Sequence, residues 1–210
     1  MKPTRVLVRG AIAGAVGTAA MDLVWFFRYR RGGGHEGLFA WETSESVGKW
    51  DDASAPGQIG RKVAHAVLGH DLPDECARPI TNLVHWSTGV GWGVQYALIS
   101  ELTGRINWRK GLAFGTVVWL TDYIVLPLAD VYKPIWQYDV KTLANDLTAH
   151  LVYGATVGLS FAGFEPRMLI AGRGHNRVGR PLAGWSATED SNDKHLVLNP
   201  AHLQERNHDK

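Results

Sequence analysis

The apolar positions of this chain gather into four long runs divided by polar connections. The runs extend roughly over Val6–Phe27, Asn82–Leu102, Gly111–Ala129 and Leu147–Phe164. A helix needs about 20 predominantly apolar residues to cross the hydrocarbon of a bilayer. No Asp, Glu, Lys or Arg lies between Arg78 and Glu101, or between Asp146 and Glu165, so the second run carries charge only at its end, at Glu101, and the fourth carries none. The first contains Asp22 and has Arg9 near its start; the third contains Asp122 and bends or ends near Pro127. The pattern predicts an all-α, integral membrane four-helix bundle. A soluble all-helical domain with buried helices is the competing reading.

The polar stretches set the organisation. A first transmembrane helix occupies 1–27 and is read as retained rather than as a cleaved signal. A long extramembrane connection covers 28–81. Three further helices fill 82–165, and a polar, basic, partly disordered tail covers 166–210. The connection opens on the basic, glycine-rich Arg28-Tyr-Arg-Arg-Gly-Gly-Gly and contains a predicted short helix, Pro56–Gly69. In that helix Ile59, Val63 and Val67 share a face at helical spacing, with Arg61, Lys62 and His65 on other faces. A helix lying on the membrane surface and a helix packed over the bundle end fit this pattern equally.

Composition sharpens the choice between membrane and water. The chain has 24 glycines and nine tryptophans among 210 residues. Glycine inside a soluble helix costs about 1 kcal/mol against alanine, whereas membrane helices use small residues to approach closely. Gly10 and Gly14, Gly89 and Gly93, Gly111 and Gly115, and Gly154 and Gly158 are each four apart, and so are expected to form packing faces. Trp86, Trp108, Trp136 and Tyr138 fall near predicted helix ends, as interfacial anchors do. Gln95 sits mid-run and reads as an interhelical hydrogen bonder. The 22 Lys+Arg nearly balance the 20 Asp+Glu, which removes any case for nucleic-acid binding. One cysteine, Cys76, excludes an internal disulfide and a multi-cysteine zinc site.

Each predicted helix carries one conspicuous ionisable residue: Asp22, His85, Asp122 and His150. Such groups are costly in a membrane and normally face the bundle interior or water. Here each lies on its helix's stripe of small residues, and alternating helix directions put all four in the same outer half of the bilayer. Three roles fit two Asp and two His. They can relay protons or handle a cation. They can bind a metal through His85 and His150, although no known metal motif is present. Or they can act only as hydrogen-bonded glue between helices, worth about 0.6–2 kcal/mol each. No cofactor is predicted, and metal or haem is the least supported role.

The order Asp-helix then His-helix occurs twice. Arg9-Gly-Ala-Ile-Ala-Gly14 followed by Asp22 is similar to Lys110-Gly-Leu-Ala-Phe-Gly115 followed by Asp122. His85-x-x-x-Gly89-x-x-x-Gly93 is similar to His150-x-x-x-Gly154-x-x-x-Gly158. Two parallel-repeat hairpins would produce this order. Chance recurrence of small-x-x-x-small patterns competes with that account.

Lys2, Arg5 and Arg9, then Arg105, Arg109 and Lys110, then Arg167, Arg173, Arg177 and Arg180 share one side if there are four spans. The positive-inside rule makes that side, and both termini, cytoplasmic. Arg28, Arg30 and Arg31 lie on the opposite side against the rule.

The stretch Asn82–Phe164 resembles uncharacterised bacterial inner-membrane proteins of the YagU type. The resemblance is carried by His85-Trp86, the Gly-x-Gly-x-x-Tyr pattern ending at Tyr96, Gly111-x-x-x-Gly115-x-x-x-Trp119, Pro127, Trp136 and His150-Leu-Val-Tyr-Gly154. It implies a multi-spanning protein of the bacterial cytoplasmic membrane and no established chemistry. The long first connection and the basic tail depart from that pattern.

No nucleophile–base–orienter set, phosphate loop or nucleotide fingerprint is present, so an enzyme acting on soluble substrates finds no support. The expected function is a proton- or cation-handling, transport or homeostasis component. A structural or partner subunit of a membrane complex is the first alternative. A membrane enzyme acting on lipid or quinone is the second. The partners expected are the lipid bilayer and a homodimer or larger complex joined through GxxxG faces.

Overall fold

The computed structural model describes residues 3–103 and 108–163, apart from the Trp108 side chain; the polar segment 166–210 lies outside the described residues. Over the described residues the chain forms six α-helices and no strand. Four are long: α1 (Pro3–Arg31), α4 (Ala77–Thr103), α5 (Trp108–Leu128) and α6 (Val140–Gly163). Two are shorter and belong to the connection: α2 (Leu38–Glu42) and α3 (Ala55–Leu68).

The long helices overrun the apolar runs because backbone signals, not hydropathy, end them. α1 continues through Arg28–Arg31, and arginine is a good helix former. Arg28 is held there by donating to the Asn145 carbonyl at 2.6 Å and by lying 4.8 Å from the Trp25 ring centroid. The helix stops only at the glycines, where Gly33 takes φ +94°. α4 begins at Ala77 with Pro79 in its first turn, where a missing N–H costs nothing. α6 is capped by Asp139, whose carboxylate accepts the Thr142 N–H at 2.9 Å and the Thr142 hydroxyl at 2.7 Å. Those bonds hold the Asp139 carboxyl below its usual range.

α1 is the central element, packed on both α4 and α6, and α5 packs on the other side of α6. Three antiparallel pairs follow from the contacts. Gly10 lies against Gly93 and Ala97 while Gly14 lies against Gly89. Gly17 meets Tyr153 and Val157. Gly111 meets Gly154 while Gly115 meets His150. A Cβ on Gly14 would sit 2.6 Å from the Gly89 oxygen, so only glycine permits this approach. α4 and α5 meet mainly through rings, with Phe114 5.1 Å from Tyr96 and 6.0 Å from Trp92. Because α4 and α5 do not close on each other along their length, a space remains between them.

The glycine stripes therefore lie inside the chain, and Gly158 is also buried. They do not remain free to join a second copy, as the GxxxG argument for a homodimer required; Gly91 and Gly163 are the glycines of α4 and α6 that face open space. Gln95 is exposed, not an interhelical bonder. The two hairpins also differ in register. Gly14 and Gly115 occupy matching places, yet Gly14 meets Gly89 and Gly115 meets His150. The contacts thus equate His150 with Gly89, one helical turn away from the His85–His150 equivalence of the sequence motifs.

Two helices, α1 and Arg109–Leu128 of α5, are long and apolar enough to cross a membrane. These are the runs that carry Asp22 and Asp122 in their interior, not the two with charge-free interiors. The runs of α4 and α6 have few charges but are rich in Gly, Ser, Thr, His and Trp, whose side chains contribute little hydropathy. Only 33% of the apolar window in α1 and 28% of that in α5 is buried, so most of their apolar surface faces outward.

α3 packs on α4 through Gly57 and Gly60, which meet Thr81, Ile80 and Val84. Val63, Val67 and Leu68 remain exposed, so its first half rests on the bundle while its second half presents an apolar face outward. Trp136 is 80% exposed, at the turn between α5 and α6.

Candidate functional site

The space between α4 and α5 is a cavity of about 540 Å³, floored by α1 and α6. Asp22, His85, Asp122 and His150 all line it, together with Asp146 and Tyr132. Their helical spacing accounts for the convergence. Each sits one or two turns beyond a glycine contact, on the face that turns toward the neighbouring helix.

The four residues form two pairs, one in each hairpin. His85 Nε2 lies 2.9 Å from Asp22 Oδ2. A carboxylate only accepts, so Nε2 carries the hydrogen. Asp22 is 5% exposed, which leaves it few alternatives to this bond. His150 Nε2 lies 3.1 Å from Asp122 Oδ2, and its Nδ1 faces the Asp146 carbonyl at 2.9 Å and Asp146 Oδ1 at 3.5 Å. Both nitrogens of His150 are therefore placed to donate. The buried Tyr153 hydroxyl donates to the Gly89 carbonyl at 2.7 Å and ties α6 to α4 beneath the cavity.

In the sequence Asp146 only marks the charged boundary of the fourth apolar run; the structure makes it a lining residue and a second carboxylate on His150. Tyr132, in the segment between α5 and α6, contacts the cavity, and its ring lies 5.7 Å from Tyr123 and 6.2 Å from Tyr138. That segment is thus a wall of the site as well as a connection. Burial raises the Tyr132 hydroxyl well above the usual phenol range, so it stays protonated.

Glu42 was not legible as a site residue. It comes from α2 in the long connection, and its ligand atom lies with those of Asp22 and His85 within 4.8 Å of one another. Its placement is enforced by the next residue: Arg78 Nε and Asn82 Nδ2 donate to the Thr43 carbonyl at 3.0 and 2.9 Å. Trp41 adds a ring contact with Phe26 at 5.6 Å, which anchors α2 on α1. Burial, and after it the charge of Asp22, pushes the Glu42 carboxyl up to about 7. The only sequence signal was a short aromatic segment following the Gly32–Gly34 break, too brief to show periodicity.

His85 and His150 belong to different groups, so they do not converge on one metal ion as sequence reading had allowed. Among the described residues, Asp22, Glu42 and His85 form the one cluster of three with metal-ligand spacing. The cavity lining holds three carboxylates and two imidazoles and no Lys or Arg. Chemically it is a cation-attracting chamber with hydrogen-bonded acid–base pairs in its wall.

No curated protein and no solved structure matches the chain. Residues 61–159 match a family described as a protein of unknown function (DUF1440), a stretch that includes His85, Asp122, Asp146 and His150 and leaves Asp22 and Glu42 outside it.

Proposed function

We propose that this chain is a four-span protein of the bacterial cytoplasmic membrane that takes a cation, H⁺ or a metal ion, into the cavity between α4 and α5. The observation that carries the reading is the lining itself: three carboxylates and two imidazoles with no Lys or Arg to neutralise them. Ionisable groups held at membrane depth are retained chiefly where they serve a pathway or a pair. Both pairs here also face a shared space. The membrane reading is supported by the outward apolar surface, which includes Leu7, Ile12, Val16 and Leu23 of α1 and Val117, Leu120, Ile124 and Val125 of α5. A water-soluble bundle buries such faces. The antiparallel helices bring the start of α1 and the end of α6 to one side, which the positive-inside rule makes cytoplasmic.

Reconstitution of the full chain into vesicles under a cation gradient tests the function. Entrapped dyes for pH and for divalent ions are expected to report flux above protein-free vesicles. Asp122→Asn and His150→Ala should reduce it to background while incorporating normally. Absence of flux, or variants that conduct like the parent, would leave the residues as helix glue and overturn the reading.

Topology has its own test. Cys76, partly exposed in the turn before α4, lies on the outer side in this orientation. A membrane-impermeant maleimide should label it in intact spheroplasts. Labelling only after lysis would reverse the orientation.

A further inference from the structure

The two Asp–His pairs are not equivalent, and the difference lies in Glu42. His150 is enclosed by acceptors at both nitrogens. His85 shares Asp22 with a third group from a different part of the chain. Glu42 Oε1 is buried and has no hydrogen-bond partner. An orphaned buried acceptor beside a second carboxylate is costly, because two carboxylates at close range in a poorly hydrated place repel and neither supplies the other with a donor. Either a proton or a cation relieves that conflict. The donor set decides between a soft and a hard preference. One imidazole nitrogen with two carboxylate oxygens, and no thiolate, suits divalent first-row ions that accept mixed nitrogen and oxygen ligands.

We propose that Asp22, Glu42 and His85 form a binding site for one divalent first-row metal ion such as Zn²⁺ or Mn²⁺. The spacing fits with little movement. Donors on one such ion lie about 3–4.3 Å apart, from metal–ligand distances of about 2.0–2.2 Å, and the three atoms here already fall within 4.8 Å of one another. To admit the ion between them, Asp22 and His85, 2.9 Å apart, separate slightly and the imidazole hydrogen is carried on Nδ1 instead of Nε2, which leaves the Nε2 lone pair for the metal. Because both also line the cavity, the ion's remaining positions face the chamber, where water or a passing ligand can complete its shell. The Thr43 clamp from Arg78 and Asn82 holds α2 against α4, the kind of outer support that orients a metal ligand. α2 therefore acts as the third wall of the site, and the long connection has a function beyond joining two helices.

The assignment rests on the reading of the cavity as a cation-handling chamber, and its test separates the two. Full-length protein purified in detergent is stripped with chelator and titrated with Zn²⁺ or Mn²⁺, followed by elemental analysis and calorimetry. About one ion per chain is expected. Glu42→Gln keeps the shape of the side chain outside the long helices, and should weaken binding about tenfold or more. Asp71→Asn, at an exposed carboxylate outside the cavity, should bind like the parent. Added metal should raise the melting temperature of the parent by mass action but not that of Glu42→Gln. Uptake of no ion, or equal affinity in Glu42→Gln and parent, overturns the site. If vesicle flux still depends on Asp122 and His150 in that case, the cation-handling reading stands without it. Glu42-dependent binding with no flux of any cation would leave the site standing and remove the wider reading.

Discussion

Gly115→Ala is expected to lower the unfolding free energy of the detergent-solubilised protein by about 2 kcal/mol, within the usual range for overpacking. The added Cβ runs into the backbone oxygen of His150, and the neighbouring atoms on that side are also backbone, so no side chain can swing away. Alanine gains about 1 kcal/mol of helix propensity over glycine, but this is outweighed if α5 and α6 must separate. Separation also stretches the 3.1 Å bond between His150 and Asp122, which spans the same pair of helices about two turns along α5. Gly91→Ala is the matched control: nothing lies within 4 Å of its would-be Cβ, so the propensity gain should appear undiminished. Melting curves of the two variants decide the matter. Equal melting temperatures would show that α5 and α6 are not in the close contact described.

The second large effect concerns the Asp22–His85 pair in the wall of the cavity. His85→Leu leaves Asp22, 5% exposed, facing Glu42 without its hydrogen-bond donor. Leaving a buried carboxylate without its partner costs on the order of 3–5 kcal/mol. The double variant Asp22→Leu with His85→Leu should cost much less, because it removes the buried carboxylate together with its partner and frees Glu42 of the second carboxylate beside it. The cycle therefore predicts strong coupling of favourable sign between the two sites. It also yields a folded protein lacking one pair, on which the proposed cation handling is tested separately from unfolding. If single and double variants are equally destabilised, the pair is not a coupled unit and the glycine contacts alone hold α1 to α4.

Both predictions draw on features of different legibility. The helices themselves were readable because each is long and apolar over about five turns, and because glycine every fourth residue marks one face. The ends were less so. Arg28–Arg31 look like the start of a loop by hydropathy, but they are helical because arginine favours the helix and Arg28 finds the Asn145 carbonyl. The repeat motifs paired His85 with His150, whereas the contacts set His150 opposite Gly115, in the place that Gly89 holds opposite Gly14. A four-residue motif repeats every turn, so a shift of one turn leaves the pattern intact and only interhelical contact reveals it.

The sequence by itself determined the all-helical class, the face on which each small residue lies, and the fact that Asp22, His85, Asp122 and His150 share that face with the glycines. These follow from a period of 3.6 residues, which is a property of each helix alone. Which helix meets which, at what register, and what the connection contributes were decided only by tertiary structure. Asp22 pairs with His85 and Asp122 with His150 because the close glycine contacts fix two antiparallel hairpins. Glu42 reaches the first pair because Arg78 and Asn82 hold Thr43 across more than thirty residues of chain. No local pattern encodes that reach: it arises from hydrogen bonds between segments that become neighbours only when the bundle is assembled.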